Sequence, residues 1–141
     1  MGKKIKVIMA THGYLADGFA GVIKMIVGEM ENLTTLCCYT NPDFDLDETI
    51  QNVMEHHDFE NADLVVCTDI MGGSVNNGFV KWMEKYPFHL VTNTNLAFLI
   101  DLLLTGENLD SDALKEKIQD PQAAVSYVND HIPAGDDLDI L

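Results

Sequence analysis

The stretch Ile5-Lys6-Val7-Ile8-Met9-Ala10-Thr11-His12-Gly13 constrains this chain most. Its first half is apolar and β-branched, which is the pattern of a buried strand. Its second half is small and polar and ends in glycine, so the strand stops where a helix is about to begin. That is the opening of a βα unit. In open α/β sheets, ligands gather at the carboxyl ends of the strands. His12 stands at such an end, within reach of water, backbone N–H groups and its own proton-transfer range.

The rest of the chain repeats the pattern. Strand 1 is expected over 4–10. Apolar residues at 15, 19, 22, 23, 26 and 27 predict a helix over 15–27, with Gly28 as its C-cap. A second strand is expected over 33–39, followed by the turn Asn41-Pro42-Asp43. Asp45 or Asp47 can cap a helix that runs to about His57, with Ile50, Val53 and Met54 inward. A third strand is expected over 64–68. Ser74 can cap a third helix carrying Val75, Phe79, Trp82 and Met83. Leu90-Val91 is a short fourth strand, 96–104 a fourth helix and 113–118 a short fifth one. A further helix is expected over 122–131. Strands alternating with helices imply βαβ units with right-handed crossovers. The expected fold is a three-layer α/β/α sandwich with a mostly parallel central sheet of four or more strands.

Length and charge bound the function. A chain of 141 residues fits one domain, and a hydrophobic fraction of 47% is enough for a real core. No apolar run approaches the roughly 20 residues of a membrane helix, and Met1-Gly2-Lys3-Lys4 leads straight into a strand. A soluble cytoplasmic protein is the expectation. With 8 basic against 23 acidic residues the net charge is −15, which disfavours nucleic acid and anionic lipid and suits a basic partner surface. Cys37, Cys38 and Cys67 fall in expected strands and read as small buried hydrophobes.

Three polar loops follow three of the strands: Thr11-His12-Gly13, 69–74, and Asn93-Thr94-Asn95. If strands 1, 3 and 4 are near neighbours, these loops meet on one edge. They would bring together a nucleophilic imidazole (His12), a carboxylate to fix its tautomer (Asp69), a Gly72-Gly73 pair whose N–H groups can approach an anion, the Ser74 hydroxyl at a helix start, and an amide (Asn95). No Walker-A loop, G-x-G-x-x-G or G-x-S-x-G is present. His56 and His57 are adjacent on an expected helix and point about 100° apart, which disfavours their sharing one ion. No metal site and no cofactor are expected.

Thr11-His12-Gly13 after a first strand, 69–74 (Asp-Ile-Met-Gly-Gly-Ser) after a third and Asn95 before a helix together resemble the IIA component of the mannose/fructose/sorbose-type bacterial phosphotransferase system. The resemblance spans about 4–105 and includes Val27-Gly28-Glu29 and Glu31-Asn32. Val75 and Ala97 stand where members often carry proline. It implies a phosphotransferase with a phosphohistidine intermediate. His12 would accept a phosphoryl group from phospho-HPr and pass it to a separate IIB component, which phosphorylates sugar at a membrane IIC/IID permease. Asp69 would pair with His12, and Thr11, Gly72, Gly73, Ser74 and Asn95 would bind the phosphoryl group. It further implies one IIA domain over 1–132 and a homodimer, while 133–141 reads by composition as an acidic tail. Two alternatives stand beside it. One is a phosphohistidine domain serving dihydroxyacetone phosphorylation. The other is a non-enzymatic, flavodoxin-like module that senses an anion and does not need His12 as a nucleophile.

Overall fold

A computed structural model describes residues 3–131; the tail read over 133–141 lies outside them. The elements are β1 (Lys4–His12), α1 (Leu15–Val27), β2 (Leu33–Cys38), α2 (Leu46–His56), β3 (Ala62–Thr68), α3 (Ser74–Val80), β4 (His89–Val91), α4 (Leu96–Thr105) and α5 (Ser111–Gln119). Two 3₁₀ turns follow at Pro121–Ala123 and Val128–His131. The four strands pair in parallel in the order β2-β1-β3-β4. This is the three-layer α/β/α arrangement that the alternation predicts.

Period-2 alternation splits the central strands between two cores. Ile5, Val7 and Met9 of β1 and Val65 and Cys67 of β3 face α1, α4 and α5, among them Ile23, Leu99, Leu102 and Leu114. Ile8 and Ala10 of β1 and Leu64 and Val66 of β3 face α2 and α3, with Ile50, Met54, Val75 and Phe79. Both faces of β1 and β3 are covered, which is why their sequences read as continuous apolar runs. Each large side chain buried this way stabilises the fold by roughly 1.5–3 kcal/mol.

Caps set the helix starts. Asp45 accepts from the Glu48 N–H, Asn95 from the Phe98 N–H and Asp110 from the Ala113 N–H. Four expectations are corrected. β1 runs on through His12, beyond residue 10. β2 ends at Cys38, because Tyr39 turns left-handed with φ 63°. α3 stops at Val80, where the ladder tightens into three-residue steps such as Trp82 N–H to the Phe79 carbonyl and Met83 N–H to the Val80 carbonyl. Trp82 still packs on the core, whereas Met83 is exposed. The helix expected over 122–131 is replaced by the two 3₁₀ turns. That segment buries no side chain, and a short helix without a packed face does not sustain itself in water.

Gly78 brings α3 close to α2. A Cβ at this position would lie 2.6 Å from Leu46 Cδ2 and 3.2 Å from Ile50 Cδ1. Gly78→Leu should therefore overpack this contact and destabilise the protein by about 1–3 kcal/mol in urea unfolding. Wild-type stability in that variant would mean that the two helices separate freely.

Candidate functional site

The strand order reverses between β1 and β3. From β1 the chain moves to β2, at one edge, and from β3 it moves to β4, at the other. α1 leaves β1 towards one face and α3 leaves β3 towards the opposite face, so the carboxyl ends of the two strands form the switch point of the sheet. β1 ends in His12, and Asp69 follows β3 directly.

One carboxylate oxygen, Asp69 Oδ2, holds His12 twice. It accepts from the His12 backbone N–H at 2.9 Å and lies 2.9 Å from ring Nδ1. Burial would raise the Asp69 pKa, but the His12 backbone N–H, the His12 ring and an N–H of its own loop outweigh that and hold the carboxyl below its ordinary 3.8. An ionised carboxylate only accepts, so Nδ1 carries the ring proton and Nε2 carries the lone pair. Asp69 is sheltered, with 12% of its side chain exposed, while the His12 side chain is 43% exposed. The pair therefore presents a fixed tautomer with its nucleophilic nitrogen turned away from the carboxylate.

Ser74 Oγ lies 3.3 Å from Nε2. Ser74 is the first residue of α3 and not its cap; Gly73 takes the cap position without a side-chain bond, which leaves the Ser74 hydroxyl free to face the ring. Gly73 has to be glycine for this approach. A Cβ there would lie 2.9 Å from Ile70 Cγ2 and 3.1 Å from His12 Cε1. Gly72 turns the loop at φ 78°.

Thr11 and Asn95 do not face the ring. The Thr11 side chain is buried, and its Oγ1 accepts the Ala16 N–H at 2.8 Å, tying the loop to α1. Asn95 caps α4 through Oδ1, and its amide N–H₂ donates to the Ala123 carbonyl. The third loop contributes Asn93 instead, whose Oδ1 accepts the Met71 N–H at 2.8 Å and braces the 69–73 loop. Inside the sheet Thr68 Oγ1 donates to Asn76 Oδ1 at 2.9 Å and lies 2.9 Å from Thr92 Oγ1, which ties the start of α3 to β3 and β4. His56 and His57 go separate ways, to the carbonyls of Asn52 and Ala62.

Tyr39 is the site residue the sequence reading missed. Its ring stacks on His12 at 5.7 Å between centroids and 27° between planes, and its hydroxyl lies 2.8 Å from Ser74 Oγ. Only the strand order could have flagged it: β2 lies beside β1, with Cys38 in register with His12, so the residue after Cys38 overhangs the histidine. Cys38 itself is a poor nucleophile. Burial, with the charges of Asp69 and Cys37, pushes its thiol up to about 11.

These features define a class: a parallel α/β protein with an exposed histidine, oriented by a buried-edge carboxylate, at its switch point. The sequence model of one family, the PTS system fructose IIA component, matches residues 6–119. A solved structure from Klebsiella pneumoniae, described as a phosphoenolpyruvate-dependent sugar phosphotransferase system permease, is 31% identical. It covers 94% of this chain and 97% of its own at a TM-score of 0.85. The mannose/sorbose-specific IIA subunit from Enterococcus faecalis is 22% identical, covering 96% and 98% at 0.75. The IIA protein associated with the fucose utilization operon of Streptococcus pneumoniae is also 22% identical, covering 92% and 97% at 0.75. These last two likenesses show the fold. Among curated proteins none matches. The chain belongs to the fructose/mannose-type IIA family of the phosphotransferase system. The match runs past Gly106 and through α5, further than the resemblance read from the motifs.

The depressed Asp69 pKa has a sign that can be tested. Its stabilising bonds to His12 are fully present above 3.8 and are lost as pH falls through the lower folded-state value. Asp69→Asn does not titrate, so the gap in thermal midpoint between wild type and variant should narrow between about pH 6 and about pH 3. A gap that stays constant over that range would mean that the His12 contacts do not stabilise the carboxylate.

Proposed function

We propose that this chain is a phosphocarrier. It accepts a phosphoryl group from phospho-HPr on His12 and passes it to a separate IIB component, which serves sugar uptake through a membrane IIC/IID permease. One observation carries the reading. Asp69 occupies Nδ1, which leaves the Nε2 lone pair on an exposed ring at the switch point.

In the transfer, the Nε2 lone pair attacks the phosphorus of the donor phosphohistidine. The new N–P bond forms as the donor's N–P bond breaks, and the donor imidazole leaves with that electron pair as a neutral ring. His12 keeps its Nδ1 proton, so its ring gains positive character beside the Asp69 carboxylate, which stabilises it. Handing the group to IIB runs the same exchange in reverse.

The arriving phosphoryl group brings roughly −1.5 to −2 charge and three acceptor oxygens. Ser74 Oγ and the first N–H groups of α3, which no side chain caps, are the donors on its path. Gly72 and Gly73 let that backbone come close. Thr11 and Asn95 act from behind, by shaping the loops. This reading needs neither metal nor cofactor, and it places the chain in the cytoplasm.

Incubation with phosphorylated HPr should put acid-labile phosphate on His12. His12→Ala should lose all acceptance while its stability moves by less than about 1 kcal/mol, since an exposed loop-end histidine carries little packing energy. Phosphate uptake by that variant at the wild-type rate would place the nucleophile elsewhere.

The carrier is also proposed to work as a homodimer. Ile118, Val125, Tyr127 and Val128 expose large apolar side chains near the end of the described chain, and a second copy could cover them. Light scattering at micromolar concentration should give twice the 15.7 kDa of one chain. A mass of one chain would remove the proposal.

A further inference from the structure

Among the described residues the hydroxyl of Tyr39 is bonded to Ser74 alone, and its backbone is unusual. A tyrosine at φ 63° sits in the left-handed region, which bulky L-residues rarely occupy. Such a position persists only where its surroundings hold it, and these positions gather at functional sites. Here three contacts hold it. The ring stacks on His12, it meets Phe44 edge-on at 5.0 Å between centroids, and the hydroxyl reaches Ser74.

The direction of the hydrogen bonds follows from the tautomer. Nδ1 donates to Asp69, so Nε2 must accept. Its partner is Ser74 Oγ, which has a single proton to give. The Tyr39 hydroxyl must then be the donor in the 2.8 Å contact with Ser74. The resting site is thus one directed chain, from Tyr39 O–H to Ser74 O–H to Nε2, with Asp69 on the far side of the ring.

We propose that Tyr39 is a phosphoryl-binding residue of the carrier, a role that rests on the phosphocarrier reading above. When phosphorus bonds to Nε2, that nitrogen no longer has a lone pair to accept with. The Ser74 proton is released from it, and Ser74 no longer needs the Tyr39 proton. Both hydroxyls then turn to phosphoryl oxygens as the charge arrives. No proton changes owner. The stacked ring meanwhile holds the imidazole in the plane in which Nε2 faces the donor. Tyr39 thus acts in two ways: its hydroxyl stabilises the bound phosphoryl group, and its ring positions the nucleophile.

Two variants separate these parts. Tyr39→Phe keeps the ring and removes the hydroxyl. Tyr39→Gly removes both and relaxes the left-handed backbone, so it folds without the strain. With phosphorylated HPr as donor, Tyr39→Phe should keep its KM within about twofold and lose about 10-fold in kcat, below the loss seen for a fully enclosed oxyanion donor. Its phosphorylated form should also hydrolyse at a changed rate. Tyr39→Gly should lose more than Tyr39→Phe in kcat. Combined with Ser74→Ala, the Tyr39→Phe effect should be non-additive, because both hydroxyls serve one phosphoryl group. If wild type takes up phosphate on His12 while Tyr39→Phe matches it in kcat and phosphohistidine lifetime, the Tyr39 assignment alone is overturned. If wild type takes up none, the carrier reading fails and the assignment fails with it.

Discussion

The pairing of β1 with β3 is the constraint on which the rest depends. Seven residues of each strand run in parallel register, from Lys4 opposite Ala62 to Ala10 opposite Thr68. That register sets the end of β3 opposite Ala10, two residues short of the end of β1, so the residue after Thr68 runs alongside Thr11 and its side chain reaches His12. One oxygen of Asp69 can then take both the backbone and the ring N–H of His12. A slip of one residue would turn every side chain of a strand to the opposite face. It would bury wrong side chains in both cores and separate the pair. The same apolar alternation that makes the two cores therefore also sets the tautomer of the histidine.

Rigidity behind the site complements exposure in front of it. Thr11, Thr68, Asn76, Asn93 and Asn95 spend their polar groups on backbone or on each other, and they fix the loops from within. His12, Ser74 and Tyr39 face outward. The division suits the proposed carrier: a ring that protein partners could reach, on a frame that none needs to rebuild.

How much of this was legible in the sequence follows from which signals are local. Alternating strand and helix patterns, the cap Asp45, and the loops after strands 1 and 3 are local, and they placed the fold and brought His12 and Asp69 to one edge. Tyr39 was not legible, because its importance depends on β2 lying beside β1, a fact of strand order. That Thr11 and Asn95 bond their side chains to neighbouring backbone groups was hidden for a related reason. A polar residue at a strand end can face a ligand or bond its own loop, and composition does not distinguish the two. The end of α3 and the segment after α5 failed where local periodicity continued but tertiary packing did not.

The donors around Nε2 suit a group that must leave again. Among the described residues, the side chains bonded to or stacked on the His12 ring are Asp69, Ser74 and Tyr39, none of them cationic. A lysine or arginine there would pair strongly with a phosphoryl group and hold the phosphorylated state in a deep well. Stabilising a bound state more than the transition state slows the next step. Hydroxyls that are already bonded to one another give less, since each surrenders an existing bond when it turns to the phosphate. Asp69, behind the ring, attracts the positive character that grows as the N–P bond forms, so it stabilises the phosphorylated ring and, in part, the transition state that leads to it. In the proposed carrier, then, neutral hydroxyls at the ring favour a group that stays transferable in both directions, in keeping with an acid-rich chain of net charge −15.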